Sequence, residues 1–121
     1  MSERGDNPAM SEESQIVVPP SFIALFVDPG RSRPNVSRAE IAARYETCED
    51  LANMLTEHAR TILWQLGVAE VDVMVRVHRG LLDPASGVSA AEARWVTRRL
   101  AELLEWECGL FEAGVDRADP R

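Results

Sequence analysis

Val71-Asp72-Val73-Met74-Val75-Arg76-Val77 can be read as a strand or as a helix. Four valines alternate with Asp72, Met74 and Arg76, and β-branched residues at period two are the mark of a half-buried strand. The same residues fit a helix. Val73, Met74, Val77, Leu81 and Leu82 share one face, and that stripe runs on past the end of the alternation. A strand also needs a partner, and the only candidate is the apolar run Phe22–Val27. The continuing stripe therefore predicts a helix here, and with it an all-α protein, a small antiparallel bundle of three to four helices. The alternative is α+β, with a two-stranded piece built from 22–27 and 71–77.

Upstream of this stretch lies the strongest periodic signal. Ser37-Arg38-Ala39-Glu40 has the form of a capping box, in which a Ser accepts from the helix start and a Glu three residues on reaches back. Behind it Ile41, Tyr45, Cys48, Ala52, Leu55, Ala59, Ile62 and Leu66 recur at steps of four and three. Gly67 follows, where a left-handed residue often closes a helix. One long helix is expected over Ser37–Leu66. Before it, Ser21-Phe22-Ile23-Ala24-Leu25-Phe26-Val27 is apolar on every side. With Pro19-Pro20 upstream and Ser21 as a cap, it reads as a short buried helix ended by Asp28-Pro29-Gly30.

Downstream, Asp83–Gly87 reads as a turn. Ser89-Ala90-Ala91-Glu92 forms a second capping box, and Ala93, Val96, Leu100, Leu103 and Leu104 carry a second amphipathic helix to about Trp106. Residues 1–14 are polar and acidic and read as a disordered tail, 15–106 as a single helical domain, and 107–121 as a loose C-terminal tail.

Charge and composition exclude several functions. The net charge is −7, of which residues 1–14 hold −3 and residues 107–121 hold −2, leaving −2 for the middle. A near-neutral middle with no basic face does not point to nucleic acid. The chain has no Lys, so each of its 13 basic residues is Arg. Cys48 and Cys108 are too far apart to suggest a disulfide framework. No basic-then-apolar start suggests a leader, and Phe22–Val27 is too short to cross a bilayer. A cytoplasmic protein without a membrane partner is expected.

Motifs of chemistry are scarce. The Gly87-to-Glu92 spacing is one residue short of a calcium loop, and Pro84, Ala85 and Ser86 are poor ligands. Cys48, Cys108, His58 and His78 lack zinc-type spacing, and neither histidine closes a Glu-x-x-His motif. No nucleophile elbow, catalytic Cys signature or phosphate loop is present, so no enzyme and no cofactor are expected.

Two faces remain. On the long helix Glu46, Asp50 and Glu57 lie opposite the apolar stripe, with Trp64 further along. On the last helix Trp95 and Trp106 are eleven residues apart and nearly in line, away from Val96 and Leu100, with Arg98, Arg99 and Glu102 around them. Tryptophan with arginine is the composition of a binding hot spot. The same pattern also arises on a central helix buried on two sides.

Pro20–Arg31, Ile41–Ala52, His78-Arg79-Gly80-Leu81-Leu82 and Glu92-Ala93-Arg94-Trp95-Val96 resemble a family of short, uncharacterised proteobacterial proteins. Many members carry the label "ATPase with chaperone activity". The resemblance covers residues 16–106 and implies a link to nucleotide hydrolysis. This chain has no Gly-x-x-x-x-Gly-Lys-Ser/Thr, so the resemblance implies an accessory partner of a chaperone ATPase rather than the ATPase itself. It supplies no functional residues.

The expectation is a small helical interaction module that binds another protein or a second copy of itself. Trp95, Arg98, Arg99, Trp106, Glu46, Asp50 and Glu57 are the candidate contact residues. The alternative is a metal- or small-ligand-binding bundle using Glu46, Glu49, Asp50, Glu57 and the histidines.

Overall fold

The computed structural model describes residues 17–107. Residues 1–14, expected as a tail, lie outside that range, as do Cys108 and almost all of the C-terminal tail. The described residues form four helices and no strand: α1 Pro20–Ile23, α2 Arg38–Leu66, α3 Glu70–Leu81 and α4 Ala90–Leu104. Short 3-10 turns occupy Ala24–Phe26 and Pro84–Ser86. The protein is all-α, and Val71–Val77 lies inside α3. The described chain divides into two compact units, one ending at Glu46 and one starting at Thr47. The division falls within the continuous α2.

The first unit is organised around Phe22. Pro19 holds the N-cap position of α1 and Pro20 its first turn, where the missing N–H costs nothing. The carbonyl of Pro19 accepts from the N–H groups of Phe22 at 2.9 Å and Ile23 at 3.1 Å. Ser21, expected as the cap, is instead inside the helix, because the two prolines already set the entry. The run expected to be apolar on all sides is also covered less than expected. Phe22 is fully buried, Ala24 is exposed, and Ile23, Leu25, Phe26 and Val27 are half-buried. Phe22 packs its ring against Phe26 at 5.5 Å and edge-on against Tyr45 at 5.6 Å. Val27 forms an isolated bridge with Pro34, not with 71–77.

The start of α2 uses the serine of its expected box, with Ser37 Oγ accepting the Glu40 N–H at 3.1 Å. Along the helix the predicted stripe is the covered side. Ile41, Cys48, Ala52 and Ala59 are buried, and Tyr45, Leu55 and Ile62 are half-buried. Leu66, the last member, is 51% exposed. It sits where the chain turns away: Gly67 adopts φ 63° and donates its N–H to the Leu63 carbonyl at 3.0 Å.

In the second unit α3 and α4 pack against each other. Val73, Met74, Val77 and Leu81 are the buried face of α3. Leu82, expected on that face, lies past the helix end and is exposed. Glu70 and Asp72 at the start and His78 and Arg79 at the end match the helix dipole. The connection carries its own cap: Asp83 Oδ1 accepts the Ala85 N–H at 2.8 Å, and Gly87 takes φ 82°.

The second capping box is complete. Ser89 Oγ accepts the Glu92 N–H at 3.0 Å, and Glu92 Oε1 accepts the Ser89 N–H at 2.9 Å. Glu92, Ala93, Trp95, Val96, Thr97, Leu100 and Ala101 are all buried, so α4 is covered on two sides. The Thr97 hydroxyl, fully buried, donates to the Ala93 carbonyl at 2.8 Å. The helix ends at Leu104 rather than near Trp106. Glu105 turns left-handed at φ 63° and donates to the Glu102 carbonyl at 3.1 Å, while the Trp106 N–H donates to the Ala101 carbonyl at 2.8 Å. These two bonds make a Schellman ending, closed here by a glutamate where glycine is usual.

Candidate functional site

The α4 candidates are used mostly inside the chain. Trp95 is 8% exposed, on the second buried side of its helix. Trp106 lies two residues past the end of α4 and is half-buried, so the two indoles do not form one helical line. Sequence spacing placed them in line only by extending the helix through the left-handed Glu105.

Arg99 is engaged by α2. Its Nε donates to Glu49 Oε1 at 2.9 Å and Oε2 at 3.1 Å, and its Nη2 donates to Oε2 at 2.9 Å. Its Nη1 donates to Glu102 Oε1 at 3.0 Å, one turn on. This is the fork geometry that guanidinium and carboxylate share. The hydrogen bonding to Glu49 raises the guanidinium pKa above its already high ordinary value, against the opposing effect of burial. The pair ties α4 to α2 across 50 positions of sequence. Neither partner lies on an apolar stripe, so no periodicity could reveal it. Arg98 is exposed.

The α2 candidates have the opposite fate. Glu46, Asp50 and Glu57 are exposed and make no ion pair among the described residues. Asp50, Glu57 and Trp64 are seven residues apart. Seven residues are nearly two helical turns, so the three side chains leave the helix on one side at intervals of about 10 Å. Trp64 is 85% exposed and Met54 is 67% exposed. The second unit therefore carries a line of carboxylate, carboxylate and indole facing solvent.

The loop before α2, read from sequence as a connection and not as a candidate site, carries the opposite charge. Asp28–Arg31 is a tight turn, with the Arg31 N–H donating to the Asp28 carbonyl at 3.0 Å and Gly30 at φ 80°. Pro29 and Gly30 are the residues a type II turn favours at its centre. The base is closed by the Asn35 N–H donating to the Phe26 carbonyl at 2.6 Å. Asn35 Nδ2 donates to Asp28 Oδ1 at 3.0 Å. Arg31, Arg33 and, at the first turn of α2, Arg38 are exposed and make no ion pair among the described residues. The signal was three arginines within eight residues of an acidic chain.

Enclosed chemistry is sparse. A groove of about 260 Å³ between α2 and α3 is lined by Leu55, His58, Ile62, Arg76, Val77, Gly80 and Leu81. Among the described residues no three His, Cys, Asp or Glu side chains cluster to hold a metal ion. Of the residues named for that alternative, Glu49 is committed to Arg99. Cys48 is buried. No helix of the described residues is long and apolar enough to cross a membrane.

Fold and surface together define a small all-α protein with a polar, aromatic-tipped outer face on its longest helix. Compared with protein-family models, with curated proteins and with solved structures, the chain matches none.

Proposed function

We propose that this chain works by binding another protein, through the outer side of α2 rather than through α4. The observation that carries this reading is Trp64, an indole 85% exposed on a regular helix, in line with Asp50 and Glu57, exposed carboxylates with no ion pair among the described residues. An indole in water is the costly part of such a surface, and covering it supplies the apolar centre of a contact. Charges at its edge set orientation and encounter rate more than affinity. A binding role of this kind, with no catalysis and no cofactor, also suits an accessory factor of a larger machine, as the family resemblance implies. Trp95 and Arg99 leave the contact set, because Trp95 is covered within the fold and Arg99 is held by Glu49.

The test is capture by immobilised full chain from native extract and from its own pure solution, with wild type and Trp64→Ala side by side. The reading expects a bound protein whose retention by the variant falls at least about tenfold, with unchanged helix content. Equal retention by both, or none by either, contradicts it.

A further inference from the structure

The partner of the α2 surface can be identified from charge and chemistry within the same chain. Asp50, Glu57 and Trp64 present two carboxylates and an indole face. Guanidinium satisfies both kinds of group: it pairs with carboxylates and stacks over the indole face, and it does so with less desolvation than an ammonium. The chain holds three exposed guanidinium groups without an ion pair among the described residues on one short stretch, at Arg31, Arg33 and Arg38. The one carboxylate in that loop, Asp28, accepts instead from Asn35.

The loop also meets the conformational requirement for a binding element. Its turn at Asp28–Arg31 and the bond from the Asn35 N–H to the Phe26 carbonyl fix its base. Little backbone freedom is therefore left to lose on association. Net charge is no obstacle: five of the seven excess negative charges sit in residues 1–14 and 107–121.

We infer that the partner is a second copy of this chain, whose Arg31 and Arg33 loop, with Arg38 at the start of α2, docks on the Asp50, Glu57 and Trp64 side of α2. The inference rests on the reading of that surface as a protein contact. It makes the association dependent on salt, since exposed charges at its edge are screened.

Sedimentation of the full chain over a range of concentrations tests it, with two charge-reversed variants. One carries Arg31→Glu, Arg33→Glu and Arg38→Glu; the other carries Asp50→Arg and Glu57→Arg. Wild type self-associates, and added salt weakens it. Each variant alone loses at least about tenfold in association constant, because its loop and its helix face then carry like charge. Their equimolar mixture associates again, since every loop finds a face of opposite sign. Circular dichroism of each variant checks that the helices persist, and recovery in the mixture rules out misfolding as the cause of the loss. A wild type that stays monomeric at all concentrations overturns the second copy as partner. It leaves the wider reading standing if Trp64 still governs capture of a different protein. Self-association that the loop reversal does not change overturns the loop as the docking element.

Discussion

Trp95 and Trp64 look alike in sequence: each sits on an amphipathic helix among charged residues, away from the main apolar stripe. Their surroundings differ entirely. Trp95 is 8% exposed and belongs to the second covered side of α4, while Trp64 is 85% exposed on α2. The arginine near Trp95 is held by Glu49 and Glu102, while the carboxylates in line with Trp64 have no ion pair among the described residues. Hot-spot composition therefore says that an indole needs cover. Only the packing says whether the same chain provides it.

Four substitutions sharpen that contrast. Trp95→Ala should cost about 3–5 kcal/mol, the range for emptying a large buried aromatic site. Urea unfolding monitored by circular dichroism measures it, and a loss below about 1 kcal/mol would place Trp95 at the surface after all. Arg99→Ala should cost about 1–2 kcal/mol, less than a fully buried pair because Arg99 keeps 33% and Glu49 22% of their side-chain surface exposed. A double-mutant cycle with Glu49→Ala isolates the coupling, and purely additive losses would show that the fork adds nothing.

Glu105→Gly should stabilise the protein by about 0.5–1 kcal/mol, because the left-handed end of α4 strains every residue with a Cβ. A destabilised variant would mean that the glutamate side chain contributes more than its backbone strain costs. Trp64→Ala should change stability by less than about 0.5 kcal/mol. The same replacement is thus expected to act on folding at Trp95 and on association at Trp64.

Much of the fold was legible because helix signals are local. The Ser37 and Ser89 caps, the stripe through Cys48, Ala52 and Ala59, the left-handed Gly67 and the turn at 83–87 each depend on a few neighbouring residues. Val71–Val77 reads as a helix because Leu81 extends the helical stripe, while the strand alternative with 22–27 stays open until the packing places the stretch inside α3. What failed was what depends on distant residues or on an end. Leu66 and Leu82 continue apolar stripes but sit at or beyond a helix end, where no neighbour covers them. Glu105 ends α4 although glutamate gives no stop signal. The Glu49–Arg99 pair joins two polar positions with no pattern between them. For the candidate site, the line of Glu46, Asp50 and Glu57 could be read as a helix side, but its exposure relative to the α4 tryptophans could not. Two loop arginines and a third at the start of α2 carry no periodicity at all.

The most direct measurement follows the indole N–H signals of isotope-labelled chain by NMR as unlabelled chain is added. If a second copy docks on α2, the Trp64 signal shifts and broadens with concentration, together with the amides of Asp50, Glu57, Arg31 and Arg33, while the Trp95 signal stays in place. Movement confined to Trp95 or Trp106, or a Trp64 signal unchanged at the highest concentration, would contradict docking of a second copy on this side of α2.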